Sequence, residues 1–263
     1  MDNRAIEPLI DTHCHLDFPE FDNDRESVLS SALAKGVRGG LVPGVTLGQC
    51  KRLLAFDCGA FTSYLAVGLH PYFITEHQLE DIDALSQLIT EHRSRICAIG
   101  ECGLDAVVGD MPKQQQLFIK QIELANQFRL PLVVHHRQSH HLIAQVFKHT
   151  PPRYGGVIHA FSGSLQQARY YIEKGFKLGV GGVITYARAQ KTRNTVSQVP
   201  LSALLIETDS PSMPLNGYQG LRNEPAQLMS VFNVLSELRS ESRPCIAKQL
   251  NQNFSQLMHV EFS

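Results

Sequence analysis

The side chains best suited to chemistry in this chain begin with His13 and His15, one residue apart at the end of the apolar run Pro8-Leu9-Ile10. On an extended strand, side chains alternate with period two, so Asp11, His13 and His15 would share one face with neighbours about 6.6 Å apart. Two imidazoles so placed can approach one metal ion. Such a pair also arises by chance or in an exposed turn, so its weight depends on recurrence: Glu101, His135, His159 and Asp209 each close a later apolar run. Imidazole nitrogens favour zinc or another transition ion over magnesium, which prefers oxygen, and manganese also fits. Six N and O donors with one bridging carboxylate suit two divalent ions, the arrangement that clamps the attacking and leaving oxygens in phosphoryl transfer.

Donors this far apart in the chain need a fold that gathers them. Eight short apolar runs read as strands: Leu9 to His13, Val37 to Pro43, Tyr64 to Leu69, Ile96 to Gly100, Leu130 to Val134, Gly156 to Ile158, Phe176 to Val180 and Ala203 to Ile206. Helical periodicity follows each one. The helices are expected at Asp24 to Lys35, Leu47 to Cys58 with Thr46 as N-cap, Leu79 to Arg93, Pro112 to Phe128, His140 to His149, Leu165 to Lys174, around Val196, Pro225 to Arg239 and Ile246 to Met258. Gly36 and Gly175 supply helix stops. Parallel strands need both faces covered, and crossover helices cover them, so an α/β fold of the TIM-type (β/α)8 barrel is the economical solution; an open doubly wound sheet is the alternative. In a barrel the six donors all fall at C-terminal strand ends, where active sites of this architecture collect.

Composition sets the outer bounds. The 263 residues carry a net charge of -1, with 43% hydrophobic and 19% charged residues. That length suits one barrel domain spanning 1–263, and no linker or low-complexity tract divides it. There is no basic excess for coating nucleic acid nonspecifically, so any such contact must be local. Residues 1–7 lack the apolar core of a signal peptide, and no apolar run reaches membrane-spanning length, so a cytoplasmic location without membrane contact is expected. The six cysteines are too dispersed for a disulfide framework and read as mostly buried thiols. Gly179-Val180-Gly181-Gly182 lacks the full dinucleotide-binding spacing, and no G-x-S-x-G nucleophile elbow is present.

The blocks Ile10-Asp11-Thr12-His13-Cys14-His15-Leu16-Asp17, Val67-Gly68-Leu69-His70-Pro71, Ile99-Gly100-Glu101-Cys102-Gly103-Leu104-Asp105, Pro131-Leu132-Val133-Val134-His135, Val157-Ile158-His159-Ala160-Phe161-Ser162-Gly163, Ile206-Glu207-Thr208-Asp209-Ser210-Pro211 and Arg222-Asn223-Glu224-Pro225 follow in an order that resembles the TatD family of metal-dependent hydrolases. Ala160 to Ala168 and Met213 to Gly217 are most similar to its YjjV-type branch. The resemblance implies a metallo-dependent hydrolase barrel, a divalent-metal centre and hydrolysis of phosphoester bonds, with deoxyribonuclease or exonuclease activity in several members. It also implies a grouping: His13, His15 and Asp209 on one ion, Glu101 bridging, and His135 with His159 on the second. Glu101 and Asp209 are the expected catalytic residues, Asp209 doubling as proton acceptor. Where many relatives place an aromatic after Gly103-Leu104-Asp105, this chain has Ala106.

Around this set, His70, Arg137, Arg222 and Asn223 are candidates for contact with substrate phosphate, and His70 could instead orient a ligand. Asp105 and Glu207 could accept the outer N–H of metal-bound imidazoles. His136 would point away from the site on a regular strand, and His140 and His141 fall in a helix. The expected substrate is a phosphoester, DNA ends among the candidates. Two other readings use the same donors: hydrolysis of a cyclic amide, and a non-enzymatic metal-stabilised interaction scaffold.

Overall fold

The computed structural model describes residues 8–261; the polar opening residues 1–7 lie outside them. Eight parallel strands pair in sequence order: β1 (Leu9–Asp11), β2 (Val37–Pro43), β3 (Thr62–Val67), β4 (Ile96–Asp105), β5 (Leu132–Arg137), β6 (Gly156–Ile158), β7 (Phe176–Val180) and β8 (Leu204–Ile206). Between and after them run α1 (Arg25–Ala34), α2 (Leu47–Leu53), α3 (Asp81–Glu91), α4 (Met111–Phe128), α5 (His140–His149), α6 (Leu165–Glu173), α7 (Gln190–Gln198), α8 (Leu228–Leu238) and α9 (Arg243–Met258). The seam between β8 and β1 is closed by a parallel bridge between Cys14 and Ser210, and by Thr12 N–H donating to the Ile206 carbonyl and Asp209 N–H to the His13 carbonyl, each at 2.9 Å. That closure makes the sheet a barrel and sets aside the open doubly wound alternative.

Strand alternation divides the core into two layers. One layer points into the barrel: Ile10, Leu41, Ala66, Ala98, Val133, Val157 and Leu205, closed from below by Phe254 and Met258 of α9. The other layer lies between strands and helices, where α4 buries Leu117, Gln121, Ile122 and Ala125 at helical spacing. Local signals agree with the tertiary pattern. Thr46 caps α2 by accepting from Gln49 N–H, and Ser164 with Gln167 forms a reciprocal capping box on α6.

Several boundaries differ from the sequence expectation, and two of them matter for the site. β1 stops at Asp11, whose carboxylate accepts from Thr208 N–H (2.9 Å) and Oγ1–H (2.6 Å) across the seam. Asp11 therefore does not share a strand face with His13 and His15, which lie on the irregular segment beyond. β4, expected to end at Gly100, runs on to Asp105. Its register against β5 shifts between Ile99 and Cys102, a bulge of the kind that re-aims a side chain, and Glu101 sits within it. At Gly103, φ is +139° and a Cβ would collide with the His135 carbonyl, so only glycine permits this close approach to β5. Among the described residues, no helix is long and apolar enough to cross a membrane.

Candidate metal centre

Four polar side chains converge where the barrel closes. His13 Nε2 lies 3.2 Å from His15 Nε2, 3.0 Å from Glu101 Oε2 and 3.7 Å from Asp209 Oδ1. His15 Nε2 is 3.5 Å from both carboxylates. An ion with donors about 2.1 Å away has neighbouring donors roughly 3 to 3.5 Å apart, so these separations fit the edges of one coordination polyhedron. Asp209 reaches the cluster from a left-handed backbone (φ 59°), with its N–H held by the His13 carbonyl. His159 stacks on His13 at 3.5 Å between ring centroids, and its Nε2 is 3.6 Å from Asp209 Oδ1.

Glu101 faces two ways. While Oε2 meets His13, Oε1 lies 3.2 Å from His135 Nδ1 and 2.9 Å from His70 Nε2. The second group near Glu101 is thus His135 with His70, whereas His159 sits with His13 and Glu207, its Nε2 also 3.6 Å from Asp209 Oδ1. This differs from the pairing of His135 with His159 that the resemblance implied. The bulge that turns Glu101 inward also sets its two oxygens toward separate groups of imidazoles.

His70 has a defined tautomer. Tyr72 N–H donates to its Nδ1 at 2.9 Å, and burial pulls its pKa down to about 4 despite the opposing Glu101 charge. The neutral ring therefore carries its proton on Nε2 and donates it to Glu101 Oε1, so it orients that carboxylate and offers no lone pair to an ion from Nε2. Of the two roles expected for His70, the geometry favours orientation.

Two carboxylates lie beside the outer nitrogens of these imidazoles. Asp105 Oδ2 lies 3.2 Å from His135 Nε2. Glu207 Oε1 lies 2.8 Å from His159 Nδ1, out of line for a good hydrogen bond, and also accepts from Ala160 N–H. His13 Nδ1 and His15 Nδ1 have no hydrogen-bond partner among the described residues.

Electrostatically the centre is built for positive charge. Burial pushes the Glu101 carboxyl upward, but the imidazoles of His70, His13 and His135 outweigh it and hold the group well below the usual carboxylate range. Asp209 is likewise lowered, the His159, His15 and His13 rings overcoming its burial. His159 goes the other way: against burial, Glu207 and Asp209 raise its pKa to about 10. Without an ion the acids retain a proton on this imidazole, and a divalent cation could replace that charge. His13, His15, Glu101, His135, His159 and Asp209 thus fit a metal centre in donor type and spacing.

Above the donors lies a cavity of about 780 Å³. Its wall includes His15, His70, Glu101, His135, His159 and Asp209, with Phe18, Tyr72, Phe73 and Met213 as apolar lining. Arg137 also lines it. The side chain is 56% exposed and its nearest acid, Asp105, is 4.0 Å away, which leaves the guanidinium available to an anion. His136 does not turn wholly away: it borders the cavity while its ring packs on His140 at 4.2 Å. Ser162 lines the cavity as well.

Two substrate candidates are committed elsewhere. Arg222 donates to both carboxylate oxygens of Asp24 (2.9 and 2.7 Å) and to Glu224 (2.9 Å), and lies over the Phe21 ring. The Asn223 amide donates to the carbonyls of Thr208, Ser212 and Met213 while its oxygen accepts from Glu224 N–H. Arg222 and Asn223 act in this structure as loop anchors, their guanidinium and amide groups hydrogen-bonded to the protein, and neither borders the cavity. Among the lining residues that sequence reasoning missed are Phe18, Tyr72 and Phe73; the only signal for the last two was adjacency to His70-Pro71.

A closed parallel barrel carrying imidazoles and carboxylates beneath a cavity at its C-terminal mouth defines the class of metal-dependent hydrolase barrels. Within that class the chain belongs to the TatD family, since the family model described as TatD related DNase matches residues 10–259. It is 44% identical over 256 residues to the "uncharacterized metal-dependent hydrolase YjjV" of Escherichia coli, covering 96% of this chain and 98% of that one. The crystal structure of YjjV, a TatD homologue from Escherichia coli, superposes with a TM-score of 0.92 at 42% identity, covering 98% of this chain and 100% of that one. A more distant relative, 26% identical over 97% of this chain and 100% of its own length, is the "3'-5' ssDNA/RNA exonuclease TatD" of Escherichia fergusonii.

Proposed function

We propose that this protein hydrolyses phosphoester bonds, with a phosphodiester near a nucleic-acid end as its favoured substrate class. The observation that carries the reading is Glu101, one oxygen of which faces the His13 and His15 donors while the other faces His135, below an open cavity bordered by Arg137. His13, His15 and Asp209, joined by His159, would hold one divalent ion, and His135 would contribute to a second with Glu101 between them. Zinc or manganese suits the nitrogen donors best, with magnesium a further choice. When bound, such ions acidify a water molecule and offset charge on the leaving oxygen.

The chain's own residues supply the rest. Arg137 binds a non-bridging phosphate oxygen, and His70 holds Glu101 in place through its Nε2–H. Asp209, kept ionised by three imidazoles, accepts the proton of the attacking water. Asp105 fixes the orientation of His135 through its Nε2, and the Glu207 carboxylate sets a negative charge beside His159 Nδ1. A closed structural metal centre would have no need of the cavity, which favours catalysis over a scaffold. The name of the Escherichia fergusonii relative supports nucleic acid as the substrate.

The test is turnover of single-stranded DNA, bis(p-nitrophenyl) phosphate and a cyclic amide by chelated protein reconstituted with zinc, manganese or magnesium. Phosphoester hydrolysis should depend on the added metal. Glu101→Gln should lower kcat by about 100-fold or more, because it weakens the ligand shared by both donor groups. Metal-dependent amide turnover without phosphoester turnover would overturn the proposal.

A further inference from the structure

A second recess of about 390 Å³ adjoins the catalytic cavity at the same mouth of the barrel. It is formed by the exit loop of β7 and the loop after β8, through Val183, Tyr186, Arg188, Ala189, Met213 and Pro214. Met213 lines both spaces, so one side chain is a wall common to the recess and the donor cluster. The volume falls within the roughly 300–1,000 Å³ typical of small-ligand sites.

The recess is held in shape without a ligand. Tyr186 OH donates to the Pro214 carbonyl at 2.8 Å, and Asn216 N–H donates to Thr185 Oγ1 at 2.9 Å, so the two loops are tied at two points. Its chemistry is an aromatic ring with apolar walls and one cation. The Arg188 guanidinium lies 5.1 Å from the Tyr186 ring centroid and forms no ion pair among the described residues. A planar base can stack on or beside this ring, and the guanidinium can meet a backbone phosphate, the combination used by sites for single-stranded nucleic acid. In a chain of net charge -1, such a local site has to do what a general basic surface does elsewhere.

We propose that this recess is a nucleobase subsite, holding the nucleoside that flanks the scissile phosphodiester so that single-stranded nucleic acid is preferred over small phosphoesters. The inference rests on the phosphoester reading above and adds the feature of the substrate that selects it. Tyr186, Arg188 and Met213 determine specificity in this scheme and take no part in bond cleavage.

The experiment compares metal-loaded wild type with Arg188→Ala, which removes the cation, and Ala189→Phe, which fills the recess. Each is assayed on a labelled single-stranded DNA oligonucleotide and on bis(p-nitrophenyl) phosphate, and equilibrium binding of the oligonucleotide is measured in parallel. A lost stacking contact corresponds to about a 5- to 150-fold weakening. The ratio of kcat/KM for oligonucleotide to that for the small ester should fall by that range in Ala189→Phe and should also fall in Arg188→Ala. In Arg188→Ala, the slope of log Kd against log salt should shrink by about 0.7. An unchanged ratio and salt slope in both variants overturns the subsite, as does an equal loss on both substrates, which marks a structural role. Wild type that cleaves the ester but neither cleaves nor binds the oligonucleotide overturns the subsite and leaves phosphoester hydrolysis standing. If no substrate turns over, the phosphoester reading fails, and oligonucleotide binding decides the subsite: weakening in both variants supports it and equal affinity rejects it.

Discussion

Asn223 shows how one buried amide can act on the centre without touching it. It is 2% exposed, and its three donated hydrogen bonds tie Thr208, Ser212 and Met213, the residues that bracket Asp209. Replacing it with alanine leaves the buried Thr208 carbonyl unpaired and frees the Ser212 and Met213 carbonyls nearer the surface, and one such buried loss costs about 1–3 kcal/mol. Asn223→Ala should therefore lose about 1–3 kcal/mol in urea unfolding and bind metal more weakly by calorimetry. If metal affinity holds while stability falls, the loop does not depend on this anchor to place Asp209. The Arg137 guanidinium has no comparable commitment. Arg137→Ala should raise KM for phosphoesters by about 10-fold, with little change in melting temperature, because a charged hydrogen bond to substrate contributes about 1.5 kcal/mol.

At the scale of elements, β7 makes room for a side chain of the segment after β8. A Cβ at Gly179 would collide with the Glu207 carboxylate, which lies behind His159. Gly179→Ala should displace Glu207 and reduce metal affinity or activity by about 10- to 100-fold, the usual effect of losing an outer carboxylate. Full affinity in a folded variant would show that Glu207 does not hold the ring. α5 carries a pH-dependent contribution. Burial lowers the His140 pKa from 6.5 to about 4, and its Nδ1 is 2.9 Å from Tyr171 OH. Between those values the unfolded chain binds more protons than the folded one, so this stability is full above pH 6.5 and declines as pH falls toward 4. After allowance for partial exposure the difference is about 1–2 kcal/mol. Urea titrations across this range should show the stability of wild type relative to His140→Phe falling by that amount as pH drops, and parallel curves would reject the assignment.

For the whole molecule, the decisive packing lies at the end of the barrel opposite the site. Phe254 from α9 is fully buried among the inward residues of the strands and meets Tyr64 edge-on at 5.0 Å. Phe254→Ala should destabilise the fold by about 3–5 kcal/mol, since it removes a large ring and leaves a cavity. Its KM should change little because the donors stand at the other mouth. A marked change in KM at temperatures where the variant remains folded would show that the lower plug and the upper site are coupled.

Much of this architecture is legible in sequence because its causes are local. Apolar runs alternating with helical periodicity specify parallel strands with crossovers, and the repeated placement of His or an acid after those runs marks a metal-binding rim. His13, His15, Glu101, His135, His159 and Asp209 could all be picked out in that way. Spacing could not show that β4 continues through a bulge to bring Glu101 between two imidazole groups, because the bulge depends on register with β5. Nor could it distinguish the available guanidinium of Arg137 from that of Arg222, which is occupied by Asp24 almost two hundred residues away. Residue types and periodicities determined the inventory of donors and the elements that carry them. Tertiary structure alone decided which donors face one another and which polar groups remain free for substrate, because those contacts join residues distant in the chain.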